Sequence, residues 1–211
     1  AAPTPMFFDD FSTGLTKWRY VGTAQSWTAA SDAEESWVQV DNLSATYGSY
    51  LTPDPPATLG DNYEYSIQLR TDAVGTGGTV SMVAELPVGA ATITEGGMAI
   101  QILGAGRVRV QSPIQHAVCA GDAPVNLGEL VTVTGQKWGS LLRFLVNGQQ
   151  VAVLNAPVGG GTPAFGAYQA TARVYSASVT ALQEAPSNFP SSATGCAWSP
   201  TEGAQAQPVL V

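Results

Sequence analysis

The run Tyr63-Glu64-Tyr65-Ser66-Ile67-Gln68-Leu69-Arg70 constrains this chain more than any other stretch. Apolar and polar residues alternate over eight positions, the two-residue period of a strand with one buried and one wet face. Tyr63, Tyr65, Ile67 and Leu69 take the core side, which leaves Glu64, Ser66, Gln68 and Arg70 on the other. Shorter runs of the same kind recur. Val38 and Val40 alternate with Gln39 and Asp41, and residues 79–86 read as a strand that Pro87 ends. Residues 98–103 and 107–111 flank Gly104-Ala105-Gly106, a three-residue hairpin connection. Residues 141–146 and 151–154 flank Asn147-Gly148, a pair that tolerates the positive φ of a type I′ turn. Residues 172–182 form the last long strand. Gly75-Thr76-Gly77-Gly78 and Gly159-Gly160-Gly161 read as loops. No stretch shows an amphipathic helical period, so the class is all-β.

A chain of 211 residues with this pattern suits one β domain, residues 1–182, followed by an irregular C-terminal tail, 183–211, rich in Ser, Pro, Gly and Ala. Only 11% of the residues are charged, and the net charge is −8, with two lysines against six arginines. That balance argues against nucleic acid and against an anionic membrane surface as partners. No apolar run reaches membrane-spanning length, which excludes membrane insertion by a helix. Ala1-Ala2-Pro3-Thr4-Pro5 reads as the terminus left after cleavage at a small-residue site, so a secreted or extracellular location is expected. Cys119 and Cys196 stand far apart and outside any Cys-x-x-Cys pattern. In an extracellular setting they are expected to form one disulfide, free thiols being the alternative. Asn42-Leu43-Ser44 is an N-glycosylation sequon, meaningful only on a eukaryotic secretory route.

Four stretches together resemble the concanavalin A-like lectin/glucanase superfamily in its laminin-G-like jelly-roll branch. Phe8-Asp9-Asp10-Phe11-Ser12, with Leu15 and Trp18, is similar to its opening. Gly48-Ser49-Tyr50-Leu51 and Asp61-Asn62 leading into Tyr63–Arg70 are similar to its acidic turn and aromatic strand. Leu145-Val146-Asn147-Gly148 is similar to its hairpin, and Phe165-Gly166-Ala167-Tyr168 with Ala172–Val179 to its closing strand. The resemblance spans residues 7 to about 182 and implies a two-sheet antiparallel β-sandwich, a jelly roll. It also implies a calcium site in many relatives, for which Asp9 and Asp10 are the oxygen donors at hand. The closing strand here reads Tyr175-Ser176-Ala177-Ser178 where relatives carry Phe-Asp-Asn-Val, so one expected acid is missing.

The chain lacks the Glu-x-Asp-x-x-Glu strand with which glucanases of this superfamily flank a glycosidic bond. Glu34-Glu35 are adjacent and would point to opposite faces of a strand. His116 and Tyr168-Gln169 echo the lyases of the same fold, but their arginine-glutamate-arginine strand is absent. No catalytic residue is assigned. Among the five tryptophans, Trp18 belongs to the core pattern, and Trp27 and Trp37 are also read as core. The resemblance places sugars in a groove lined by the polar side of the central strand. The expected ligand-binding residues are therefore Gln68 and Arg70, extended by Glu85 and Gln101 from the same sheet face. The leading expectation is a secreted carbohydrate-binding, lectin-like domain that recognises a polysaccharide or glycan. Two alternatives stand beside it: a polysaccharide lyase or glycoside hydrolase of the same fold, and a structural surface, filament or virion protein that self-assembles on the jelly-roll scaffold.

Overall fold

The computed structural model describes residues 5–112, 117–156 and 159–196. His116, Trp198 and the tail beyond residue 196 lie outside the described residues, as do the side chains of Cys119 and Cys196. Fourteen strands follow one another: β1 (Pro5–Asp9), β2 (Trp18–Val21), β3 (Trp27–Ser31), β4 (Ser36–Asp41), β5 (Ser49–Pro53), β6 (Asn62–Pro87), β7 (Met98–Gly104), β8 (Arg107–Ser112), β9 (Ala117–Asp122), β10 (Val131–Trp138), β11 (Leu141–Val146), β12 (Gln149–Asn155), β13 (Gly161–Ala181) and β14 (Gly195–Cys196). The helical content among the described residues is one 3₁₀ turn, Ile93–Glu95. Every pairing is antiparallel.

Two strands are far longer than the rest. β6 has 26 residues and β13 has 21, and they pair from Gly161↔Pro87 to Ala181↔Tyr63. Each half of this ribbon belongs to a different sheet. The first sheet runs β14-β12-β11-β10, then the N-terminal half of β6 and the C-terminal half of β13, with β1 and the β4–β3 hairpin beyond. The second runs β9-β8-β7, then the C-terminal half of β6 and the N-terminal half of β13, then β5 and β2. The expected two-sheet antiparallel jelly roll is the observed architecture.

The glycines at 75–78 do not form the loop their composition suggests. They lie within β6, at the crease between the sheets. There β6 crosses β13 so closely that a Cβ on Gly78 would collide with the carbonyl oxygens of Tyr168 and Gln169. Gly166 follows the same logic in β13, because a Cβ there would enter the ring of Tyr50.

The core lies between the sheets. Tyr63, Tyr65, Ile67 and Leu69 are buried in it, as their alternation requires, with Leu142, Phe144 and Val146 from β11. Met82, Ile100 and Val110 face them from the second sheet. Phe165 gathers Phe11, Trp18 and Trp27 edge-on at 5.0–6.1 Å. The Tyr65 hydroxyl crosses the sandwich to donate to the Ala164 carbonyl at 2.8 Å.

The sandwich also encloses an ion pair. Lys137 shares the inward parity of Val131 and Val133 and is fully buried. Its Nζ lies 3.2 Å from Glu85 Oε1, to which the Tyr63 hydroxyl donates at 2.8 Å. Burial and the neighbouring carboxylate hold the Tyr63 hydroxyl well above the ordinary phenol range. Glu85 reaches this position from a backbone at φ 62°, in the left-handed region. Its expected place on the sheet's polar face is thereby corrected: the distorted backbone delivers it to Lys137 inside.

Ile67→Ala should lower the unfolding free energy by about 2–5 kcal/mol, the cost of a transfer term plus a cavity, measured by denaturant titration. Lys137→Ala should cost about 3–5 kcal/mol by the same measurement, because it strands the Glu85 carboxylate without its cation.

Candidate functional site

The opening motif explains how one edge of a surface groove is built. Asp9 is fully buried. Its Oδ2 accepts the Trp18 indole N–H at 2.6 Å and its Oδ1 accepts the Phe11 amide at 3.1 Å, with Lys17 Nζ at 3.4 Å. Asp10, one residue on, faces out and accepts both the amide and the hydroxyl of Ser12 on Oδ1. One acid thus anchors the first tryptophan to the core while its neighbour rims the surface. Asp9 already spends both oxygens on N–H donors, and among the described residues no three His, Cys, Asp or Glu side chains converge on a metal-sized site.

The groove, of about 760 Å3, lies on the outer face of the first sheet. Its floor is Ser66 and Gln68 of β6 beside Ser178 and Ser176 of β13, their register partners. Phe8, Asp10 and Ser12 form one wall, and the turn from Asp32 to Ser36 between β3 and β4 forms the other. A bulge between Val174 and Ser176 puts two successive residues, Tyr175 and Ser176, on the groove side. Asp32 Oδ1 accepts the amides of Glu34 and Glu35 at 2.9 Å and so shapes the turn. These hydrogen bonds hold the Asp32 carboxyl below its usual range, and those from Ser12 do the same for Asp10. Asp10 and Asp32 therefore stay ionised down to mildly acidic pH.

Behind the groove wall stands an ordered stack. The Trp37 ring lies 5.9 Å from that of Tyr175, and the Arg70 guanidinium sits 5.4 Å from the Tyr175 centroid. Arg70 is therefore on the expected face, but it does not line the groove; it is committed to Tyr175 by a cation–π contact. Its Nε is buried without a hydrogen-bond partner among the described residues. Trp37, read as core, is on this outer face too, half-buried. Trp18 and Trp27 are core as expected.

The tail closes the other half of the same face. On it Glu64 accepts from Gln136 at 2.6 Å, and Gln136 accepts from Arg143 Nε at 3.0 Å. Asn188 and Phe189 cover this cluster: Arg143 Nη1 donates to the Asn188 carbonyl at 3.1 Å and its guanidinium lies 5.0 Å from the Phe189 ring centroid. The chain then pairs β14 with β12. Far from hanging free, residues 183–196 cross the sheet, and among the described residues the half carrying Ser66 and Gln68 is not covered by them.

The four residues expected to share one face are not brought together. Gln68 lines the groove and Arg70 supports its wall. Glu85 is interior. Gln101 is fully buried on the outer face of the second sheet, where its Nε2 donates to Ser81 Oγ at 3.3 Å. The reason is the crease: beyond residue 78, β6 has passed into the other sheet, so its neighbours β7 and β8 face away from Gln68. The sequon is likewise absorbed by packing. Asn42 is buried, its Nδ2 donating to the Ala167 carbonyl and its Oδ1 accepting the Ala170 amide, each at 3.2 Å.

No protein-family model matches the chain, and no curated protein sequence does. Solved structures do. A carbohydrate-binding module, CBM66 from Bacillus subtilis, is 13% identical with a TM-score of 0.58, over 80% of this chain and 98% of that one. The Crh5 transglycosylase in complex with NAG is 12% identical with a TM-score of 0.63, over 84% of each chain. A prokaryotic β-1,3-1,4-glucanase (lichenase) derived from a mouse hindgut metagenome is 12% identical with a TM-score of 0.62, over 83% of this chain and 99% of that one. At these identities the likeness speaks for the fold alone, and it agrees with the topology above: a two-sheet antiparallel jelly roll.

Proposed function

We propose that this chain is a carbohydrate-binding, lectin-like domain that holds a glycan in the groove on the outer face of its first sheet. The observation that carries the reading is the groove itself. It is open, with hydroxyls and an amide on a strand floor, the half-exposed Phe8 ring in its wall and the largely buried Tyr175 in its lining. Sugars need this combination: polar groups to meet their hydroxyls and aromatic surface to meet their C–H faces. Proteins of the same fold that are named as a carbohydrate-binding module, a transglycosylase and a lichenase support it.

Binding is favoured over hydrolysis because the chain carries no Glu-x-Asp-x-x-Glu strand with which to flank a glycosidic bond. We also place the protein outside the cell, with Cys119 bridged to Cys196. β9 and β14 end their sheets on the same flank of the central ribbon, which supports that pairing.

A polysaccharide panel should return binding without release of reducing ends or unsaturated products; product release would make the domain an enzyme, and silence across the panel would sink the reading. Gln68→Ala and Phe8→Ala should each weaken the glycan identified about fivefold to tenfold, one hydrogen bond or one ring contact of about 1 kcal/mol. Neither should move the melting temperature appreciably, since Gln68 is exposed and Phe8 is 50% exposed. Mass spectrometry of non-reduced peptides should recover 119 linked to 196; two free thiols would remove the disulfide.

A further inference from the structure

We propose that Arg107 and Arg109, on the outer face of the second sheet, form an oxyanion site that takes the carboxylate or sulfate group of an acidic sugar. The site is remote from the groove, and it does not rest on the reading of that groove.

The placement follows from parity. Val108 and Val110 of β8 point into the core, so Arg107 and Arg109 both point out, two residues apart on one face. They border a small cavity of about 290 Å3 with Leu103 and the bare backbone of Gly77 and Gly78. The cavity is near the lower end of ligand-site sizes, room for one charged sugar rather than a length of chain.

One of the two guanidiniums is held in place before any ligand arrives. Ser81, Gln101 and Arg109 are successive partners across β6, β7 and β8. Gln101 Oε1 accepts Arg109 Nε at 2.9 Å, while the Gln101 amide donates to Ser81. This fixes one edge of the guanidinium by a fully buried residue and leaves the Nη1 and Nη2 groups for the cavity. Such a fork matches a planar carboxylate or a sulfate edge.

What points to an anion is the missing counter-charge. Among the described residues the ion pairs are Lys17–Asp9, Lys137–Glu85 and Arg173–Asp72, and none involves Arg107 or Arg109. Asp122 stands opposite Arg107 in the β8–β9 register, yet it forms no ion pair with it. Arg109 is half-buried, and burial pushes its guanidinium below the usual range. A partly desolvated cation without a counter-charge is costly, and the cost is recovered when an anion binds. In a chain of net charge −8, two of the eight basic residues meet at this one cavity.

The test is calorimetric titration of the full chain with three short probes: an oligogalacturonate, a sulfated oligogalactan and a neutral oligogalactan, each at low and high salt. At least one anionic probe should bind about tenfold or more tightly than the neutral one, and salt should weaken it. Arg107→Ala should weaken that probe about tenfold, and Arg109→Lys should do so as well, because it keeps the charge but loses the fork. Arg107 is exposed, so its variant keeps the fold, which an unchanged melting temperature checks. Preference for the uronate or the sulfated probe identifies the source of the oxyanion. No binding of either anionic probe, equal binding of the neutral probe, or anionic binding indifferent to both substitutions would overturn the proposal. A groove that binds nothing would leave the dependence on Arg107 and Arg109 in place, so the two readings fail separately.

Discussion

Everything in this molecule hangs on the ribbon of β6 and β13. An antiparallel pair that stays in contact from Tyr63↔Ala181 to Pro87↔Gly161 must take its twist and its bend as one object. Bending it at the crease creates two sheets from one pair of strands and brings their apolar faces together. The other strands then add to the ribbon's flanks, β10 and β7 on one side and β4, β1 and β5 on the other. The crease demands glycine: with Tyr168 and Gln169 carbonyls pressed onto Gly78, a side chain there would force the ribbon apart. The core aromatics are arranged from the same object, since Phe165 on β13 is the ring that Phe11, Trp18 and Trp27 all meet.

Once the ribbon is bent, parity along each half decides what is core and what is surface, and the exceptions are the informative places. Val174 to Ser176 breaks parity by a bulge, and the consequence is a tyrosine at the groove wall, backed by Arg70 and Trp37. Glu85 breaks it through a left-handed backbone, and the consequence is a carboxylate beside Lys137 in the core. The two departures serve different ends. The first sets a largely buried ring into the lining of the groove. The second spends an acid and a lysine on joining the sheets, in a position no ligand can reach.

Much of the first sheet was legible in the sequence because its signals are local. Strict alternation over Tyr63–Arg70 specifies one strand with two faces, and Asn147-Gly148 specifies one turn; both are observed as read. The crease was not legible. Gly75–Gly78 has the composition of a loop, and only the partner strand shows that these glycines are required by close approach. That one misreading displaced the site: with a loop in place of the crease, Glu85 and Gln101 fall on the face of Gln68, whereas a continuous β6 carries them into the other sheet. The buried lysine had a signal available, since Lys137 keeps step with Val131 and Val133, but its acidic partner is distant in sequence and visible only after folding. The tail was hidden for another reason. Its Ser, Pro and Gly content describes a chain without strands of its own, and says nothing of Phe189 finding the aliphatic and guanidinium surface of Arg143.

The packed interior also settles where a ligand can be taken. Among the described residues, the space between the sheets is filled by rings and branched side chains, with Tyr65 bonded across it. The two proposed sites therefore lie on the two outer faces, and these differ in sign. The open half of the first face is rimmed by Asp10, Asp32, Glu34 and Glu35, a field that repels uronates and sulfated sugars and tolerates neutral ones. The second face presents Arg107 and Arg109 over bare glycine backbone, a field of the opposite kind. Because the sandwich core separates them, neither field cancels the other at contact range, and a Debye length of about 8 Å in physiological salt screens what crosses the protein's edge. If both proposals hold, a polymer carrying both neutral and acidic sugars would be gripped at two places with different chemistry. Linked weak contacts of that sort multiply in affinity when the spacing allows both to engage at once.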